Sequence, residues 1–339
     1  MIMASTRIIA EAGINHDGIF EKAKQLVDVA VEAKADYVKF QSFDSNKLVC
    51  DEDETSTYID EGKNSNETFR DLLERLQLDI SEMRSLRDYC ESSNIGFMST
   101  PFDEDNLKLL IELGVDFIKV ASGDLTNTLL LKEISKFNKP VVLSTGMGSL
   151  GDIEIALDCL NNIEVTLLHC ISWYPAEIET ANLKYIKTLQ NAFDMPVGYS
   201  DHTLGNEASC AAVALGAKIL EKHFTINPLD FGPDHKASLS PKQLREYILS
   251  IRNVELALGN SSKRLFCEKE IDQRRVHRRS LVTSRDLTKG ETIKLEDICL
   301  KRPGTGISPH SIDLILGSKV RKDIKSNSLI KITDLLFDV

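Results

Sequence analysis

Between residue 7 and residue 259, short runs of β-branched and aliphatic residues alternate with amphipathic helical stretches, and this rhythm limits the fold more than any other feature of the chain. Eight runs read as strands: RIIAEAG, YVKFQ, GFMST, DFIKVAS, PVVLST, VTLLHC, PVGYSD and ILEKHFT. Between them lie helical patterns such as FEKAKQLVDVAVEAKA, DEDNLKLLIELG and NLKYIKTLQNAF. Eight strand-helix units over about 250 residues predict an α/β fold of the (β/α)8 barrel type rather than a doubly wound sheet. The missing GxGxxG after the first strand weakens a dinucleotide-binding reading further.

The rhythm is broken twice. The acidic run DEDETSTYIDEGKNSNE, residues 51–67, is longer than an ordinary connection and is expected to form a loop over the barrel mouth. After residue 262 the chain turns to short strands and glycine turns. The expected division is therefore a barrel at 1–262, a charged linker at 263–279 and a small β-rich domain at 280–339. A length of 339 residues suits one large domain and one small one.

The net charge of -11 argues against nucleic acid as a partner, since phosphate binders carry basic surfaces. The one dense basic run, RRVHRR at 274–279, reads as a solvated linker or interface. Seven cysteines with no CxxC spacing suit reduced thiols and exclude a cysteine-based zinc site. No apolar run is long enough for a membrane span and the start lacks a secretory pattern, so a cytoplasmic protein is expected.

Active sites of such barrels lie at the C-terminal strand ends, and polar residues are dense there: Glu11, Lys39, Gln41, Thr100, Lys119, Ser122, Ser144, Ser200, Asp201, His202, Glu221 and His223. Period-two alternation sets Lys39 with Gln41 on one face, and Glu221 with His223. Burying such polarity costs several kcal/mol unless ligands or partners satisfy it. His202 and His223 end adjacent strands, and two imidazoles at one point can hold a metal with positions left open for substrate oxygen. Two lysines among serine hydroxyls suit a phosphorylated, carboxylated small molecule. A Schiff-base aldolase stays open on these residues alone. His16 is expected to shape the first loop, His169 to be structural, and His277 and His310 to lie at the surface.

Taken in order, IIAEAGINHDG, YVKFQ, STPFDED, IKVASGD, LSTGM, LLHC with YP, YSDHTLG, EKHFT, GPDHKASL and KRPGTG make the chain resemble the bacterial sialic acid synthases over nearly its full length. The resemblance implies a TIM barrel followed by an antifreeze-like domain of the SAF, β-clip type. It implies condensation of phosphoenolpyruvate with N-acetylmannosamine or a close relative, with cleavage of a carbon-oxygen bond to release phosphate. It further implies a homodimer in which each small domain caps the partner's barrel, placing Arg302 at the neighbour's sugar. By this correspondence His202 and His223 hold a divalent ion, manganese first, with magnesium or cobalt as alternatives. Glu11 and Glu221 handle protons. Lys39, Thr100, Lys119, Ser122, Ser144, Ser172 and Ser200 bind phosphoenolpyruvate, while Gln41, Tyr174, Asp234 and Arg302 bind the sugar.

Two places depart from the family pattern. HCISWYP puts Ile171 and Ser172 where threonine and often asparagine stand, beside Trp173, the chain's single tryptophan, and Asp124 stands where glutamate is common. The first departure bears on the sugar, so legionaminic acid synthases, which use a diacetamido trideoxy sugar, are the nearest alternative. Pseudaminic acid synthases and enzymes using a phosphorylated hexose rank below. A non-catalytic carbohydrate-binding or ice-binding protein fits poorly with the heavily charged C-terminal portion. A metal hydrolase would usually need more histidine and aspartate ligands.

Overall fold

The structure, a computed structural model, describes residues 5–50, 55, 57–64, 66–259 and 263–336. Contacts divide the chain into Met1–Asn260 and Ser261–Val339, each with its own apolar core.

In the first unit, eight parallel strands form one sheet: β1 (Arg7–Gly13), β2 (Tyr37–Ser42), β3 (Gly96–Pro101), β4 (Ile118–Val120), β5 (Val141–Ser144), β6 (Val165–Cys170), β7 (Val197–Asp201) and β8 (Ile219–His223). Hydrogen bonding runs in the order β3-β2-β1-β8-β7-β6-β5-β4, and β3 lies beside β4, so the barrel is nearly closed. An outward face rich in Val, Ile, Leu and Phe is what a parallel sheet covered by helices requires.

Alternation sorts the side chains. Outward residues such as Val38, Phe40, Val141, Leu143 and Leu220 pack under the helices. The helix Phe20–Ala33 buries Ala23, Leu26, Val27, Ala30 and Ala33, one face of a 3.6-residue repeat. The helix Pro241–Leu258 starts on a Ser240–Gln243 capping box and buries Leu244, Tyr247, Ile248 and Ile251. Truncating one of these, such as Leu26 to alanine, costs roughly 2–5 kcal/mol.

Inside the barrel the lower layer is apolar: Ile9, Met98, Val142, Leu168 and Ile219. Gly198 belongs to the same layer, and a Cβ there would stand 2.4 Å from the Ile219 carbonyl oxygen and 2.6 Å from Leu168. Above this floor the inward positions are mostly polar, Glu11, Lys39, Thr100, Lys119, Ser144, Ser200 and Glu221, with Cys170 on β6 the apolar member.

Asp201 does not join that upper layer. It is one residue out of phase with Ser200, so it faces the helices, where Lys222 lies 3.0 Å away and Ser209 and Thr203 donate to it at 2.7 to 2.9 Å. A buried ammonium thus finds its counterion beneath the helix layer, away from the barrel interior.

The second unit pairs β9 (Ser280–Thr283) with β10 (Ile298–Lys301) and β11 (Lys319–Val320) with β12 (Leu335–Leu336), both antiparallel. Leu281, Leu287, Ile293, Ile315, Val320, Ile324, Ile330 and Leu335 form its core. The stretch 263–279, expected as a bare linker, contains a helix, Glu268–His277. The basic run falls at that helix's C-terminus, where cations complement the exposed carbonyls, and Arg274 lies 3.7 Å from the Phe266 ring. His277 and His310 are exposed. No helix among the described residues is long and apolar enough to cross a membrane.

Candidate active site

Four buried charges meet above the apolar floor. The parallel register sets Glu11 beside Lys39 on one flank and beside His223 on the other. Lys39 Nζ lies 2.9 Å from Glu11 and 3.7 Å from Glu221, and it donates to Thr100 Oγ1 at 3.0 Å. Lys119 Nζ lies 3.7 Å from Glu221 and donates to Ser144 Oγ at 2.8 Å. Ser200 donates to Glu221 at 3.0 Å. The set is formally neutral, which is how four charges can be tolerated in a barrel interior.

The two carboxyls have opposite characters. Burial, reinforced by Glu221, pushes Glu11 up to about 7 against the pull of Lys39. Burial also acts to raise Glu221, but the Lys119 and Lys39 ammoniums outweigh it and hold that carboxyl at about 2. Near neutral pH one carboxyl can exchange a proton while the other stays an anion, the division that acid-base sites exploit.

His202 and His223 stand over this layer with ring centroids 5.5 Å apart. His202 Nδ1 donates to the Ile171 carbonyl at 2.7 Å, which leaves Nε2 with its lone pair. Burial lowers the affinity of His202 for a second proton, but Cys170, whose Sγ lies 3.8 Å from Nδ1, pushes it back above the usual range. His223 Nδ1 is buried without a hydrogen-bond partner among the described residues, and burial with His202 nearby keeps that ring neutral. An unpaired buried imidazole nitrogen beside a second imidazole whose Nε2 can exchange its proton for a metal fits a divalent cation.

A second group of metal-type donors, Asp17, Asp230 and His235, converges within 4.8 Å. Here the cation is already present. Lys22 Nζ pairs with Asp17 and lies 2.6 Å from Asp230, while His235 lies 3.0 Å from Asp17 and 2.7 Å from Thr225 Oγ1. The cluster is a strut joining the loop after β1 to the loop after β8.

The rim differs around its circumference. On one side Gly146 donates its N–H to Ser122 Oγ at 3.0 Å, and a Cβ on Gly146 would strike Ser172 Oγ at 2.2 Å, so the glycine keeps a small hydroxyl-lined space open. Two residues beyond Ser172, Tyr174 lies 4.1 Å from the His202 ring and meets His223 edge-on at 5.8 Å. Tyr58 stacks on Tyr174 and donates to Asp234 Oδ1 at 3.0 Å, and Asp234 Oδ2 lies 3.7 Å from His223 Nδ1. Asp234 precedes the short turn His235–Ala237, but its side chain makes no capping bond there.

A model of the NeuB family matches residues 26–263, and one of the SAF domain matches residues 278–336. This chain belongs to the NeuB family. It is 41% identical over 334 residues to the N,N'-diacetyllegionaminic acid synthase of Campylobacter jejuni, spanning 97% of this chain and 100% of that one. The Legionella pneumophila protein of the same description is 40% identical over 328 residues, spanning 95% and 92%. Among solved structures, the N-acetylneuraminic acid synthetase of Leptospira borgpetersenii in complex with citrate superposes with a TM-score of 0.72 at 34% identity, covering 80% of this chain and 92% of that one.

Within this NeuB-family barrel, the structure brings together Glu11, Lys39, Thr100, Lys119, Ser144, Ser200, His202, Glu221 and His223, with Ser122, Ser172, Gln41, Tyr174 and Asp234 around them. Gln41 Nε2 and Asp234 Oδ2 both flank Gly13, whose φ of +54° and crowded Cβ direction suit glycine alone. Arg302 lies exposed after β10 in the second unit. His16 accepts from Gly18 N–H in the first loop, and His169 meets the Ala181 carbonyl at 2.7 Å, both structural as expected. Asp124 accepts from Asn127 at 3.0 Å, and its shorter length compared with glutamate has no structural explanation. Sequence reading missed Tyr58. The available signal was a lone aromatic in the polar run 51–67.

Proposed function

We propose that this NeuB-family protein condenses phosphoenolpyruvate with the open-chain aldehyde of an N-acyl amino sugar, releasing phosphate and a nine-carbon sugar acid. The observation that carries the reading is the buried Lys39–Glu11 and Lys119–Glu221 array beneath the His202 and His223 pair. Carbon three of phosphoenolpyruvate forms a bond to the aldehyde carbon. Water adds to carbon two, losing a proton, and the bond between carbon two and the phosphate oxygen then breaks.

Lys119, Ser144, Ser122 and Ser172 are assigned to the anionic oxygens of phosphoenolpyruvate, with Lys39, Thr100 and Ser200 completing that side. Glu11, raised toward neutrality and adjacent to the Gln41 and Asp234 side, donates a proton to the aldehyde oxygen as it becomes a hydroxyl. Glu221, held ionised, stabilises the positive charge that develops at carbon two. A divalent ion bound by His202 and His223, manganese in the first instance, would supply Lewis-acid polarisation of that aldehyde oxygen.

For the sugar, the sequence reading placed N-acetylmannosamine first. The 41% and 40% identities to two legionaminic acid synthases, against 34% to a sialic acid synthetase, favour a diacetamido trideoxy hexose, with N-acetylmannosamine second. Phosphate release with manganese and each aldehyde, N-acetylmannosamine, the diacetamido trideoxy hexose and mannose 6-phosphate, tests both levels, with His202→Ala as control. Release with none of them, despite manganese binding, overturns the reading.

The same reading includes a cytoplasmic homodimer with Arg302 serving the partner's site. Mixing inactive His202→Ala and Arg302→Ala chains restores activity if the site is shared, and leaves it absent if each chain works alone.

A further inference from the structure

Tyr58 sits on the short helical turn Thr57–Asp60, in the loop that follows β2. Its ring stacks on Tyr174 at 5.0 Å with planes 20° apart, and Tyr174 in turn lies against both histidines. Its hydroxyl donates to one oxygen of Asp234, a carboxylate only 2% exposed. The turn is fixed from behind. Gly62 packs so closely on Pro233 that a Cβ would stand 2.6 Å away, and Arg75 holds the Gly62 carbonyl at 3.2 Å and Glu67 at 2.8 Å. Tyr58 is therefore placed by its own loop and by the loop after β8 together.

We infer that Tyr58 determines which amino-sugar aldehyde the site accepts, an inference that rests on the synthase reading above. Asp234 has two acceptor oxygens, and Tyr58 occupies one, so a substrate finds a single free oxygen there. A hydroxyl-rich hexose would bring a further desolvated hydroxyl that has to compete with Tyr58 for the oxygen it already holds. The stacked pair of rings presents a wall that favours methyl and C–H groups and offers few hydrogen-bond partners. A sugar with carbons stripped of hydroxyls and carrying two acetamido groups matches that wall. Because the rings touch the histidine pair and Asp234 rather than Lys119 and Ser144, the effect falls on the sugar and spares phosphoenolpyruvate.

Two variants separate specificity from simple support. Tyr58→Phe keeps the stack and frees the Asp234 oxygen. It is expected to lower the ratio of kcat/KM for the diacetamido trideoxy hexose over that for N-acetylmannosamine by about tenfold, with KM for phosphoenolpyruvate unchanged. Tyr58→Ala removes the wall and is expected to raise KM for both sugars more than about tenfold, again sparing phosphoenolpyruvate. A ratio within twofold of wild type in Tyr58→Phe, or a KM rise in Tyr58→Ala as large for phosphoenolpyruvate as for the sugars, overturns the inference while the synthase reading stands. Wild-type protein that releases phosphate with neither amino sugar overturns both.

Discussion

The two sides of the barrel mouth are built from different material. The side with Lys119, Ser144 and Thr100 consists of residues at strand ends, each fixed by a parallel ladder and by neighbours 2.8 to 3.0 Å away. The side with Tyr58, Tyr174 and Asp234 consists of loop residues that hold one another through a ring stack and a single hydrogen bond. Strand-end groups cannot move without disturbing the barrel, whereas loop groups can be exchanged one at a time. On the proposed reaction, the difference teaches that the phosphate chemistry would be anchored in the fold and the choice of sugar carried by replaceable parts.

This contrast can be broken or sharpened by experiment. His202→Ala should cut phosphate release by more than about 10³-fold and abolish manganese binding in calorimetric titration, since it removes one of two proposed ligands outright. Manganese affinity equal to wild type would detach the histidine pair from the site. Lys119→Met should lower kcat by about 10²- to 10³-fold and raise KM for phosphoenolpyruvate, leaving KM for the sugar in place. A selective loss of sugar binding instead would reverse the two sides.

The pH profile comes next. With Glu11 pushed up to about 7, its acid form prevails below that pH, so kcat/KM for the sugar should fall about tenfold per unit above it. Glu11→Gln should flatten that limb, and a limb that survives the substitution assigns the proton elsewhere. The smallest effect belongs to the strut. Asp17→Asn weakens the tie between the loops after β1 and β8, and should raise KM for the sugar about fivefold with no change for phosphoenolpyruvate. An equal rise for both would erase the distinction between the sides.

Sequence alone carried the strand-end half of the site. Inward positions such as Lys39 with Gln41 and Glu221 with His223 follow from a period of two, and the barrel rule says where polar ones matter. The same period explains why Asp201 was misplaced as a site candidate, since it is one step out of phase with Ser200. The loop half was not legible in the same way. Tyr58 and Tyr174 are 116 residues apart, and no local pattern states that their rings will stack. The Lys22 strut was hidden for the same reason, for its two carboxylate partners, Asp17 and Asp230, come from the β1 and β8 loops and His235 joins through Asp17. The helix Glu268–His277 lacks an apolar stripe, with none of its residues buried, so a periodicity test passes over it.

Gly198 sets how deep the reaction chamber is. Because β7 offers no side chain at that level, Leu168 can fill the space a Gly198 Cβ would take and complete the floor with Ile9, Met98, Val142 and Ile219. A single methyl group there would stand 2.4 Å from the Ile219 carbonyl oxygen and 2.6 Å from Leu168, so the floor would have to shift. The ceiling of that floor is thus governed by an atom the sequence leaves out, and volume available to substrate is coupled to the narrowest residue in the wall.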